Sequence, residues 1–454
     1  MRQWKQSELA MRAFEQKLEQ LTSGESLLIR EKEIKPVNDI PKLEDLAGTM
    51  REEGSKLLGN TVMIKLNGGL GTSMGMDKAK SLLPAKQGLS FLEIIVRHSG
   101  AQGAALMLMN SHRTRDDSLE VMRKHPHTSE QEQSLPLDFE QSMNPKVVKE
   151  TLEPAEYPPD PELEWCPPGH GDLFTAIQSG GTLDRLLEAG YSYAFVSNAD
   201  NLCASLHPGI LGYLAIEKIP FLMEVTRRTA NDRKGGHLAR SVEDGSLLLR
   251  ESAQCPEEDE ESFQDIDRHR FFNTNNLWLN LDELRKTLRE NDGMIPLPLI
   301  RNEKHVNPVD SSSTEVYQLE SAMGAAISSF SGAVSLEVPR TRFLPVKSCE
   351  DLTLVRSDRI ILMHDDYTLT QCSSCRYPEV KIRLDSRYYK YIKDWEKAFP
   401  GRVPSLRDCY EFCLQGPFLF RDNVTAKGRV SMANRSEERI EIPSGTELDG
   451  VYIN

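Results

Sequence analysis

The segment from Thr61 to Ser81 constrains this chain more than any other. TVMIKL, a β-rich apolar run, passes directly into NGGLGTSMGMDKAKS, with glycines at 68, 69, 71 and 75 and lysines at 78 and 80. Glycines that follow a strand let backbone N–H groups approach a phosphate, and a lysine beyond them supplies a point charge. Two other phosphate motifs do not fit. Gly75 is followed by Met76, so there is no Walker A loop, and Gly69, Gly71 and Gly75 are spaced GxGxxxG, not GxGxxG. Two further runs, AALMLMN at 104–110 and YAFVSNADN at 193–201, are separated by helix-length segments. Strands alternating with helices predict an α/β fold with a mostly parallel mixed sheet. All three runs end in small polar residues, Asn67-Gly68-Gly69, Asn110-Ser111 and Ser197-Asn198. Ligands of such sheets sit at the carboxyl ends of the strands, so these ends are expected to converge on one crevice.

The chain of 454 residues is long enough for a large α/β unit with appendages, and its net charge of −14 is the wrong sign for a general nucleic-acid or anionic-membrane binder. Phosphate chemistry therefore needs a local basic site. No run reaches the 18 or so apolar residues of a membrane span, and MRQWKQSELAMRAFEQKLEQL reads as a charged amphipathic helix without a signal-peptide core, so a cytoplasmic protein is expected. The eight cysteines are dispersed, with reduced thiols as the default; Cys372 and Cys375 have redox or zinc spacing but no second pair follows. Three parts are expected: an N-terminal helical segment at 1–55, a catalytic domain at 56–365, and a C-terminal domain with linker at 366–454. In the last, Phe418, Val424, Val430, Ile442 and Leu448 fall at multiples of six with Ser436 the exception, and Gly416, Gly428, Gly445 and Gly450 lie near the corners. A six-residue period predicts a short parallel β-helix, with a pair of hairpins as the alternative.

Asp200, between two amides at a strand end, suits Mg²⁺ bridged to phosphate oxygens, and equally an Asx turn. Trp165–Asp172 is a constrained turn delivering His170, and a lone histidine is more often structural. The amides of Phe272–Asn276 suit sugar hydroxyls or a plain turn. Arg342-Phe343-Leu344-Pro345-Val346-Lys347 ends in an isolated lysine, and Lys80 with Lys347 are the best candidates for a cationic pocket. There is no GxSxG elbow and no HExxH, which argues against acyl-enzyme or zinc hydrolysis.

KLNGGLGTSMG with Lys80-Ser81, Phe139–Ser142, Pro167–Asp172, SNADN, Lys234–Leu238, FNTNNLW, Gln318-Leu319-Glu320 and RFLPVK occur in an order that closely resembles the eukaryotic-type UTP–glucose-1-phosphate uridylyltransferases, from about residue 34 to the six-residue repeat. The resemblance implies a Rossmann-like nucleotidyltransferase domain, a small helical N-terminal segment and a C-terminal left-handed parallel β-helix, in which a homo-oligomer contact is left open. It implies that UTP and glucose 1-phosphate are converted reversibly, with Mg²⁺, to UDP-glucose and pyrophosphate, with no nucleic-acid or membrane partner. By motif, Leu66, Asn67, Gly68 and Gly69 would line the nucleoside, Gln141 and Gly169 would read the uracil, and Lys80 would hold the triphosphate. His170 and Asn198 would face the sugar phosphate, Asp200 would bind Mg²⁺, and Lys347 would neutralise charge during transfer; Gly235, Asn276 and Glu320 would belong to the glucose pocket. The chain departs from the pattern at Lys78-Ala79, which makes Lys78 a competitor for the role of Lys80, at Ala199, and over 365–380. The alternatives are a pyrophosphorylase of another sugar and a catalytically silent nucleotide-sugar sensor.

Overall fold

The computed structural model describes residues 1–23, 27–229 and 232–453. The three apolar runs form the strands Thr61–Asn67, Ala105–Asn110 and Tyr193–Asn198, each almost wholly buried. They are neighbours in one sheet. Thr61–Asn67 pairs in parallel with Tyr193–Asn198 on one side and Ala105–Asn110 on the other, and Asp138–Glu140 extends the parallel half. Because all four strands run the same way, Asn67, Asn110, Glu140 and Asn198 end on one edge.

The other half of the sheet is mostly antiparallel, with Val334–Glu337 pairing in parallel on Phe221–Arg227. The ten-residue strand Phe271–Asn280 lies between Tyr193–Asn198 and Phe221–Arg227 and runs against both. This sets the fold apart from an all-parallel sheet, and among the described residues the central sheet counts ten strands. The N-terminal part contributes the helix Glu8–Thr22 and the helix Gly48–Leu57. Between them, Ile34–Pro36 is a sheet strand, pairing antiparallel with His237–Ser241. Pro36 is tolerated there because an edge strand has one row of backbone groups without ladder partners.

The tail consists of parallel ladders where hairpins would have been antiparallel. Lys381–Leu384, Ser405–Gln415, Thr425–Ala433 and Glu447–Ile453 stack side by side, and Phe418–Phe420 stacks on Ile440–Ile442. Partners such as Phe412↔Val430 and Thr425↔Glu447 are 18 and 22 residues apart in sequence. Phe418, Val424, Val430, Ile442 and Leu448 all point inward, whereas Ser436, the exception to the six-residue period, caps an exposed turn through Asn434 Oδ1. These residues belong to the same apolar cluster as Met63, Phe195 and Trp278 of the central sheet, so the tail shares the core of the main body. Among the described residues no helix is long and apolar enough to cross a membrane.

Candidate active site

The carboxyl ends of the parallel strands open into a cleft of about 280 Å³ lined by Leu66, Asn67, Gly68, Gly69, Lys80 and Ser81 on one side. Gln141, Gly169, His170, Asn198, Asp200 and Lys347 complete it. Eleven of the fourteen residues singled out in the sequence therefore meet in one place.

The glycine loop is shaped by two left-handed residues, Gly71 at φ +68° and Gly75 at φ +72°, and is closed by the Lys80 N–H donating to the Gly69 carbonyl at 3.1 Å. Gly68 serves a different purpose. A Cβ there would lie 2.6 Å from Gln141 Oε1, so the bare backbone is what lets that amide reach over the strand end. The amide of Asn67 faces inward, with Nδ2 donating to Asn110 Oδ1 and Ser118 Oγ, each at 2.8 Å, and it ties the ends of two parallel strands together.

The electrostatic centre is Asp200. Its Oδ2 accepts from Lys80 Nζ at 3.0 Å and from Lys347 Nζ at 2.6 Å, while Oδ1 is buried and has no partner among the described residues. Lys78 is exposed and outside the cleft lining, so the geometry brings Lys80 and not its neighbour to the acid. Beneath this loop, Lys65 is fully buried, with Nζ donating to Ser197 Oγ at 2.7 Å and the Ala204 carbonyl at 2.8 Å. Desolvation pushes its ammonium down to about 7.

His170 sits on a loop held from behind. Gly169, at φ +80°, packs so closely on Ser321 that a Cβ would lie 2.5 Å from its carbonyl oxygen, and the Gly171 N–H donates to that same oxygen at 2.8 Å. The buried Lys17 of the N-terminal helix donates to the Pro168 carbonyl at 3.0 Å. Desolvation, with Lys347 nearby, pushes the His170 imidazole down to about 4, so it is neutral at pH 7. Its Nδ1 accepts the Met323 N–H at 3.0 Å, which leaves the proton on Nε2, free to donate into the cleft. Asp172 accepts the Ser142 N–H at 2.6 Å, and burial pushes its carboxyl up to about 6.

Gly235, Asn276 and Glu320 lie outside the cleft lining. Asn276 is fully buried with Nδ2 on Glu224 Oε2 at 3.1 Å, and its Oδ1 has no partner among the described residues. Gly235 lies under the Phe272 ring, and Gly236 is pressed against the carboxylate of Glu251, which burial pushes upward. Sequence reasoning passed over Glu251, Lys17 and Lys65, because a single charged residue carries no local signal of what it will face.

The match to known proteins runs along almost the whole chain. Residues 11–427 fit the family model of UTP–glucose-1-phosphate uridylyltransferase. The chain belongs to that family. A uridylyltransferase of this name from Solanum tuberosum is 37% identical over 412 residues, covering 88% of this chain and 83% of the relative. One from Encephalitozoon cuniculi is 36% identical, covering 88% of this chain and 79% of the relative. Among solved structures, a mutant UDP-glucose pyrophosphorylase from Leishmania major in complex with UDP-glucose superposes with TM-score 0.91 at 41% identity, covering 100% of this chain and 98% of that one. The Trypanosoma brucei protein superposes with TM-score 0.89 at 43% identity, covering 100% and 97%.

Proposed function

We propose that this uridylyltransferase transfers the uridylyl group of UTP to glucose 1-phosphate, releasing pyrophosphate, in the cleft at the ends of the parallel strands. The observation that carries the reading is the pairing of Lys80 and Lys347 on one oxygen of Asp200 beside a glycine loop. Both lysines are counter-charged by a single carboxylate, so a phosphate that enters meets two ammonium groups already facing one point.

The acceptor is a phosphate monoester whose second pKa is about 6, so it is ionised at neutral pH and needs no general base. That accounts for a cleft rich in glycine, lysine and amide, with a neutral histidine that donates. In this mechanism Gly68 and Gly69 present backbone to the nucleotide, Leu66 and Asn67 border the nucleoside, and Gln141 with Gly169 faces the uracil. Lys80 holds the triphosphate. His170 Nε2 and Asn198 orient the sugar phosphate in line with the α-phosphorus, and Lys347 neutralises charge that spreads onto the nonbridging oxygens. The free Oδ1 of Asp200 fits Mg²⁺, which commonly takes one carboxylate together with phosphate and water oxygens. When bound there, Mg²⁺ supplies charge neutralisation at the phosphates. The unpartnered Asn276 Oδ1 and the half-buried Glu320 carboxyl, which desolvation pushes upward, support a hydroxyl-binding pocket with Gly235.

The division at about 55 and 365, the left-handed sense of the tail and a homo-oligomer contact through it belong to the same reading. The contact is supported by the edge strand Glu447–Ile453, which exposes Val451 and Ile453 at 60% and 67%. Eight free cysteines support a cytoplasmic setting.

The deciding assay is pyrophosphate release with Mg²⁺, UTP and glucose, galactose or N-acetylglucosamine 1-phosphate. Release confined to glucose 1-phosphate supports the reading, release with several sugars moves it to a broad pyrophosphorylase, and UDP-glucose binding without release makes the protein a sensor.

A further inference from the structure

Asp200 and Lys347, which pair in the cleft, stand on separate loops, residues 198–205 and 340–347, and an inner seam joins them. Asn201 Nδ2 donates to the Arg342 carbonyl at 3.3 Å, while its Oδ1 accepts the Leu344 N–H at 3.0 Å. Two residues on, the Val346 N–H donates to the Asp200 carbonyl at 3.0 Å. The Arg342 guanidinium turns the other way. It donates to the Ser205 carbonyl at 2.8 Å and forks onto Glu224, with Nε to Oε2 at 2.9 Å and Nη2 to Oε1 at 2.7 Å. Glu224 is fully buried in the strand Phe221–Arg227 and also accepts from Asn276 and from Trp278 Nε1.

We propose that Asn201 and Arg342 are positioning residues for uridylyl transfer: together they set the backbone from which Lys347 reaches Asp200. Neither lines the cleft, and both are buried. The Lys347 side chain is 61% exposed and its stem is flexible, so its aim depends on where residue 346 is held. A reacting group displaced by about 1 Å can lose about 100-fold in rate, and this seam is what prevents such a displacement. A buried ion pair is a poor source of net stability, and Arg342–Glu224 fits a role in geometry because its fork bridges the sheet and both loops at once.

The proposal rests on Lys347 acting in the transfer, and a double-mutant cycle separates the two ideas. The parent enzyme, Asn201→Ala, Lys347→Met and the double variant are compared for kcat, for KM of UTP, and for thermal midpoint. Asn201→Ala is expected to lower kcat about 10-fold to 100-fold while KM for UTP moves less than about 3-fold. In the Lys347→Met background the same change is expected to cost less than about 2-fold, because the group it positions is gone. Arg342→Lys, which keeps the charge but not the fork, should repeat the pattern at smaller amplitude, and it carries the cycle if Asn201→Ala does not melt cooperatively. A full Asn201 penalty in the Lys347→Met background would overturn positioning alone. An undiminished kcat for Lys347→Met would overturn the role of Lys347 and the positioning proposal with it.

Discussion

Lys347 Nζ lies 2.6 Å from Asp200 Oδ2, the same oxygen that accepts from Lys80 at 3.0 Å. The three groups differ in their surroundings: Lys80 and Asp200 are nearly enclosed at 13% and 12% side-chain exposure, while Lys347 reaches in from the surface. An enclosed lysine and an exposed one thus share a single counter-ion. In the proposed mechanism Lys80 binds the triphosphate and Lys347 neutralises charge during transfer.

Replacing Lys347 with alanine is therefore expected to lower kcat by about 10²–10³-fold, with KM for UTP changing little, since a group that acts mainly in the transition state affects both kcat and kcat/KM. Steady-state pyrophosphate release measures this. Equal loss in KM and none in kcat would assign Lys347 to ground-state binding.

Asp200→Asn keeps the size of the side chain and removes its charge. Activity should fall by at least about 100-fold, and the residual rate should respond to Mg²⁺ only at much higher concentration, because an amide is a poorer ligand for a hard cation than a carboxylate. A Mg²⁺ titration with the same midpoint as the parent would remove Asp200 from the metal site.

Acid should destabilise the protein through its buried histidines. Desolvation lowers His98 and His170 from 6.5 to about 4, so between those values the unfolded chain binds protons that the folded one does not. Stability conferred by the neutral imidazoles is thus complete above about 6.5 and is lost as pH falls toward 4. Asp172 works in the opposite sense. Its carboxyl, raised by burial from 3.8 to about 6, favours the folded state as pH falls through that window. The thermal midpoint is expected to drop on acidification from pH 7 to pH 4.5, and to drop more steeply in Asp172→Asn, as followed by differential scanning fluorimetry. A shallower drop in that variant would contradict the sign.

Two glycines lock the N-terminal part onto the main body. A Cβ on Gly54 would overlap the Pro208 carbonyl oxygen, and one on Gly212 would overlap that of Met50, so the helices Gly48–Leu57 and Pro208–Ile216 cross at backbone contact. Alanine would gain about 1 kcal/mol of helix propensity at either position. Overpacking against backbone costs about 1–3 kcal/mol or more and wins. Either Gly→Ala variant is expected to melt several degrees lower while kcat at 25 °C is kept, and an unchanged melting midpoint would show that the helices separate freely.

Much of this protein was legible in one dimension wherever a pattern repeats or a run stops. Three apolar runs ending in Asn-Gly, Asn-Ser and Ser-Asn marked three parallel strands and the edge where the cleft opens, because a buried strand must be apolar until the point where it meets solvent and ligand. The six-residue period marked inward positions of the tail, whose strands pair in parallel. The strand Ile34–Pro36 was not legible, because an edge strand of three residues has too few alternations to declare itself.

By itself, then, the sequence determined the class of fold, the glycine loop with its lysine, the motifs that name the family, and the buried face of the tail, all of which depend on residues close together along the chain. Only the tertiary structure decided that Lys80 and not Lys78 meets Asp200, that Phe271–Asn280 enters the sheet antiparallel, and that Lys65 and Lys17 are buried under the cleft. It also decided that Asn201 clasps a segment more than 140 residues away. The reason is physical: a charge or an amide has the same local signature whether it is solvated or enclosed, and its role is set by the partners that long-range packing brings within about 3 Å.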